Sequence, residues 1–141
     1  MMDLTMQGLN RFLNAQGPVY DSVIKELTGG KKTTHWMWFV FPQLKGLGRS
    51  AIAEHFGIES RTEALAYWEH PVLGARLLEC TNLVLEQHDK SAHDIFGSPD
   101  DLKFKSCMTL FARVVPSELA FQQALDRLYG GSLDERTVEL L

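Results

Sequence analysis

Glycine or proline interrupts this chain at nearly every boundary between its apolar segments, and that punctuation limits the fold more than any other feature. The segments it separates follow helical spacing. Leu9, Phe12 and Leu13 fall at i, i+3 and i+4, and Gly17-Pro18 then breaks the run. Pro18 suits the first position of a second helix, with Tyr20, Val23, Ile24 and Leu27 on one face and Gly29-Gly30 at its end. Ser50 can cap a short helix that stops at Gly57. Ser60-Arg61-Thr62-Glu63 reads as a capping box, and its helix ends before His70-Pro71 because a residue preceding proline avoids the α region. Pro71 opens the longest expected helix, which places Leu73, Leu77, Cys80, Thr81 and Val84 together. Ser91 to Asp94 starts a short turn stopped by Gly97.

Ser98-Pro99-Asp100-Asp101 supplies a cap, a proline at the first position and two carboxylates toward the macrodipole. The stripe Phe104, Cys107, Met108 and Phe111 follows it. Pro116-Ser117 begins another helix, with Phe121, Leu125 and Leu128 inward and Gly130-Gly131 at its end, and Asp134 caps a last turn. No stretch alternates apolar with polar residues. The expected fold class is all-α: a single compact multihelical domain over residues 1–141, built from about eight to ten mostly short helices.

Composition agrees with one folded domain. The 141 residues are 45% hydrophobic and 23% charged, and 14 rings (3 Trp, 3 Tyr, 8 Phe) are ample for a core. The formal charge of −4 argues against a general nucleic-acid partner. Charge is unevenly placed, however. No acid lies between Glu26 and Glu54, whereas Lys31, Lys32, Lys45 and Arg49 do, so this stretch carries +4 and the remainder −8. Such a segment suits a small anion better than a polyanion, although an apolar core segment would also lack acids. Cys80 and Cys107 sit in apolar helical surroundings without a Cys-x-x-Cys, the usual setting of free structural thiols. Neither a leader at Met1-Met2-Asp3-Leu4 nor a run long enough to span a bilayer is present, so a cytoplasmic protein that makes no membrane contact is expected.

One segment departs from the averages. Four of the 14 rings fall within Trp36-Met37-Trp38-Phe39-Val40-Phe41. A strand and a buried helix both fit this run. A lone strand would lack a partner, so a helix capped by Thr33 or Thr34 and ended by Pro42 is expected. The run leads into Leu44-Lys45-Gly46-Leu47-Gly48-Arg49-Ser50, a glycine-spaced loop opening a helix. Its glycines would let backbone approach a ligand, while free amides, Lys45 and Arg49 would suit a phosphate or carboxylate and the indoles a planar group. The loop lacks the Walker ending and the third glycine of the dinucleotide fingerprint. Read alone, it is a tight loop with a serine cap, and the aromatic run is core.

The remaining polar residues offer less. His35, His55, His70, His88 and His93 do not pair at helical metal spacing, so neither a metal nor a cofactor is expected. His35 heads the aromatic run and can point into a cleft. If the chain is catalytic, His35 and Asp100 are its candidate acid and base, with Lys103 stabilising charge. Asp100, Asp101, Lys103 and Lys105 also fit a plain role as dipole partners and helical ion pairs.

The strings His35-Trp36-Met37-Trp38-Phe39-Val40-Phe41-Pro42-Gln43 and Gly46-Leu47-Gly48-x-Ser50 resemble the bacterial domain of unknown function 1810 family. The resemblance continues through Tyr67-x-x-His70-Pro71-x-Leu73-Gly74-x-Arg76-Leu77. It ends on Ile95-Phe96-Gly97-x-Pro99-Asp100-Asp101-x-Lys103-x-x-Ser106-x-Met108-Thr109-Leu110-Phe111. It implies a mainly helical single domain and no particular activity. A second resemblance, at Leu77-Leu78 and Phe96-Gly97, is to YbiA-like N-glycosidases of ADP-ribose-related compounds, which are also small and helical.

Two functions follow as expectations. One is a pocket for a small phosphorylated or nucleotide-like ligand. Trp36, Trp38 and His35 would form its wall, Gln43 an orienting amide, and Lys45, Gly46, Gly48, Arg49 and Ser50 an anion cradle. The other is a non-enzymatic helical interaction module, in which the aromatic run faces a protein partner or a second copy in a homo-oligomer.

Overall fold

The computed structural model describes residues 4–141; Met1-Met2-Asp3, part of the segment read above as lacking a leader, lies outside the described residues. The described residues form ten α-helices: α1 (Leu4–Gln16), α2 (Tyr20–Thr28), α3 (Met37–Val40), α4 (Ala51–Phe56) and α5 (Arg61–Glu69), then α6 (Leu73–Leu85), α7 (Ala92–Phe96), α8 (Asp100–Val114), α9 (Leu119–Tyr129) and α10 (Glu135–Leu140). A 3₁₀ turn over Gly17–Val19 carries Pro18 and joins α1 to α2. The described residues contain no strand, and the fold is a single all-α domain.

From Ser106 to Phe111 every side chain is buried, so α8 has no polar face along that turn and a half. It is the central helix, with α3, α5, α7, α9 and α10 against it. A second centre forms where α6 meets α2, α5 and α9. The 15-residue α8, not the 13-residue α6, is the longest helix. Its two buried hydroxyls bond back along the helix, Ser106 to the Leu102 carbonyl (3.2 Å) and Thr109 to the Lys105 carbonyl (2.8 Å).

The aromatic side chains form connected rows through this core. Phe12 touches Tyr67 edge-on at 5.1 Å, Tyr67 meets Phe111 at 5.7 Å, and Phe111 meets Phe121 at 5.7 Å. Phe41 meets Phe104 edge-on at 4.9 Å, and Phe104 stacks on Phe96 at 4.7 Å. Polar groups in the interior are matched. Gln16, 1% exposed, donates to the Phe39 carbonyl (2.6 Å) and to the Tyr67 hydroxyl (2.9 Å), and Arg76 donates to its oxygen (3.4 Å). Cys80 and Cys107 are free and buried; burial pushes the Cys80 thiol up to about 12 and the Cys107 thiol well above its ordinary range. Both are therefore structural thiols.

Several helix starts lie where the hydroxyls and carboxylates foretell. Ser50, Ser60, Ser91 and Asp134 accept the amide three residues on. Three starts differ. Glu63 does not complete a capping box; its carboxylate accepts from the Glu59 amide and pairs with Arg11 at 2.8 Å, tying α5 to α1. Pro99, not Ser98, stands at the N-cap of α8, which has no side-chain cap. Pro71 precedes α6 by two residues, and the His70 ring nitrogen accepts the amides of Val72 (3.1 Å) and Leu73 (3.3 Å) instead. Glycine is required just inside α6, where a Cβ on Gly74 would lie 1.9 Å from the Trp68 carbonyl oxygen. This fixes the close turn between α5 and α6.

Candidate functional site

The aromatic run is helical only over Met37–Val40, one turn entered from Trp36 without a side-chain cap. Thr33 and Thr34 do not cap it, because Glu26 of α2 claims them. The Glu26 carboxylate accepts from the amides of Thr33 (2.6 Å) and Thr34 (2.9 Å), the Thr34 hydroxyl (2.6 Å) and the Trp36 indole N–H (3.1 Å). Burial alone would raise the Glu26 pKa, but these four donors outweigh it and hold the carboxyl at about 2. Trp36 is thereby locked into the core at 1% exposure, 6.1 Å from the Phe41 ring. It is a core residue and not a wall open to ligand, which corrects the expectation for that position.

The glycine-spaced loop is held by a single parallel bridge between Leu44 and Ile58. The Lys45 amide donates to the Ile58 carbonyl and the Ile58 amide to the Gln43 carbonyl, each at 2.9 Å. The bridge lies beyond the aromatic run, which is helical as expected and not a strand. Its glycines serve the loop's own path. Gly46 has φ +99°, a conformation that disfavours side chains, and a Cβ on Gly48 would lie 2.5 Å from the Ala53 Cβ.

The proposed cradle does not converge. Lys45 pairs with Glu59 at 3.3 Å, and the Ser50 hydroxyl is committed to the Ala53 amide (3.2 Å). Gly46 and Arg49 face solvent, and α4 behind them has only six residues. His35 is also exposed and contributes nothing to the groove described next.

A second set of cations lines one groove, although in this structure the Lys103 ammonium lies 5.0 Å from the Trp38 ring centre and the Lys105 ammonium 5.7 Å from that of Tyr129. An open groove of about 280 Å³ runs between Gln43, Leu47 and Gly48 on one side and α8 with the start of α10 on the other. Pro99, Leu102, Lys103, Lys105 and Ser106 line the α8 side, and Asp134 and Arg136 the α10 side. Its three cations face one carboxylate. Asp134 accepts both the Thr137 amide (3.1 Å) and the Thr137 hydroxyl, so its charge is turned to the start of α10. The Asp134 amide donates to the buried Thr109 hydroxyl at 3.0 Å, which fixes α10, and with it Arg136, against α8.

Trp38 lies beside this groove in a narrow apolar crevice with Met37, Phe41, Ala53 and Phe56, and Gln43 and Lys103 line both spaces. The Lys103 ammonium sits 5.0 Å from the Trp38 ring centre and 3.6 Å from Asp100. Asp100 also pairs with Lys32 at 2.8 Å, and the Lys32 side chain is only 7% exposed. Asp100 is thus an anchor between two ammonium groups. Of the sequence-derived candidates, Trp38, Gln43, Gly48 and Lys103 lie together, with Asp100 behind them. Lys45, Gly46, Arg49, Ser50, Trp36 and His35 do not join them. Lys105 and Arg136 line the groove, although the motif reading did not select them as ligand contacts. No cluster of three or more metal-ligating side chains occurs among the described residues, and none of their helices is long and apolar enough to cross a membrane.

The fold defines a small all-α protein of one domain. The chain belongs to the family described as Protein of unknown function (DUF1810), which matches residues 6–141. It is similar to the conserved hypothetical protein Rv1873 from Mycobacterium tuberculosis, with 55% identity over 94% of this chain and 95% of that one and a TM-score of 0.93. No curated protein matches it. Leu77 and Phe96, which carry part of the resemblance to N-glycosidases, are both buried core residues.

Proposed function

We propose that this protein binds a small anionic ligand in the groove between the Gln43–Gly48 loop and the starts of α8 and α10. The observation that carries this reading is that Lys103, Lys105 and Arg136 all line one groove whose own carboxylate, Asp134, is engaged by Thr137. A phosphate or carboxylate there meets two compact ammonium groups and one planar guanidinium, which favours bidentate oxygen recognition. At about 280 Å³ the groove suits a small molecule and not a polymer. The chain's net charge of −4 opposes a long polyanion, so the cationic groove selects for small anions by repulsion beyond its rim.

Calorimetric titration with inorganic phosphate at low salt tests the reading. Wild type is expected to bind saturably, and the double substitution Lys105→Glu and Arg136→Glu is expected to weaken binding about tenfold or more. Equal affinity in both proteins contradicts it. The homodimer reading has less support. The large exposed apolar side chains Ile52, Leu65, Val72, Leu102, Leu119 and Leu140 lie singly on six different segments, the ordinary pattern of a protein surface.

A further inference from the structure

We infer that the groove's ligand is a phosphomonoester carrying a flat ring, of the size of a nucleoside monophosphate, and that Lys103 covers the ring's seat on Trp38 until the phosphate draws it away. This rests on the anion-binding reading of the groove. Three observations support the added step. First, Lys103 is the surplus cation of its cluster. Asp100 holds Lys32 at 2.8 Å and Lys103 at 3.6 Å, so one carboxylate serves two ammonium groups and the looser partner is Lys103. An incoming phosphate competes with a long ion pair and a cation–π contact, both weaker than a direct charge-assisted hydrogen bond.

Second, Lys103 and Gln43 line both the groove and the Trp38 crevice, so they stand between the two spaces. The crevice as it stands, about 10 Å³, has room for no more than one water. With the Lys103 chain turned into the groove, the indole face it covers opens beside Gln43, whose amide can hydrogen-bond a ring edge. Third, the neighbouring floor is apolar. Leu47, Pro99 and Leu102 line it, and Leu102 is 60% exposed. A flat ring between an indole and this floor buries surface that inorganic phosphate leaves wet.

Isothermal titration of the full chain with adenosine 5′-monophosphate, inorganic phosphate and adenosine separates these contributions. The monophosphate is expected to bind about tenfold or more tighter than phosphate, the increment of one base stacked on an aromatic side chain. Adenosine alone is expected to bind weakest, because nothing displaces Lys103. Trp38→Leu should abolish the preference, so that monophosphate and phosphate bind this variant with equal affinity. Lys103→Ala, at a half-buried surface position, should strengthen adenosine binding and weaken phosphate binding. Should Trp38→Leu fail to fold, the Lys103→Ala comparison decides. Equal affinities for monophosphate and phosphate overturn the ring seat and leave the anion site standing. Adenosine that binds Lys103→Ala no better than wild type overturns the covering role of Lys103. A folded wild type that binds neither phosphate nor monophosphate overturns the anion site itself.

Discussion

Glu26 shows how one side chain decides what its neighbours can do. Its four donors fix Thr33, Thr34 and Trp36 at once, and so remove Trp36 from any ligand surface. Glu26→Gln puts an amide NH₂ toward donors and should destabilise the fold by about 2 kcal/mol at neutral pH, read by urea unfolding. The sign with pH follows from the depressed pKa, about 2 when folded against an ordinary 4.5. The stabilisation is complete above about 4.5 and is lost as pH falls toward 2, so the gap between wild type and Glu26→Gln should narrow over that window. A gap independent of pH would contradict the assignment. At this scale the sequence was least legible. Thr33 and Thr34 look like helix caps because their residue types are right, but a carboxylate on the preceding helix takes them first.

Among the elements, helix positions were largely legible and helix roles were not. Gly30, Gly97 and Gly130 take positive φ just past α2, α7 and α9, where their conformational freedom acts locally, and Gly57 follows α4 with ordinary extended backbone. The same local signals do not say that α8 is surrounded, since Ser106 and Thr109 are polar yet buried and bonded to their own helix. Gly74 tests the contact between α5 and α6. Gly74→Ala puts a methyl group against the Trp68 backbone, which cannot move aside as a flexible side chain can. It should destabilise the fold by about 3 kcal/mol, whereas Gly17→Ala, with open space around it, should fall within about 0.5 kcal/mol of wild type. Thermal unfolding of the two variants checks the contrast, and comparable losses would contradict it.

The whole molecule is acidic with a small cationic groove, and the groove's parts come from three separated stretches: the loop after α3, the first turns of α8, and α10. The acid-free stretch of sequence contributes Gln43, Leu47 and Gly48 to the groove but none of its four cations. Lys45 is neutralised by Glu59 across the bridge, while Arg136 comes to the side of Lys103 and Lys105 on α8 only because Thr109 docks α10 there. Nothing local in the sequence announces that docking. Because the cations lie at an open surface, phosphate affinity should fall steeply between about 0.01 and 0.1 M salt, as the screening length shortens from about 30 to about 10 Å. Titration calorimetry at the two salt concentrations checks this, and a salt-independent affinity would contradict a surface electrostatic site. The most direct test of the anion groove is a ¹H–¹⁵N correlation titration with inorganic phosphate. The account predicts saturable shifts confined to the amides of residues 43–48, 99–106 and 134–136. Shifts that fail to saturate, or that centre on Arg49, Ser50 and α4, would contradict it.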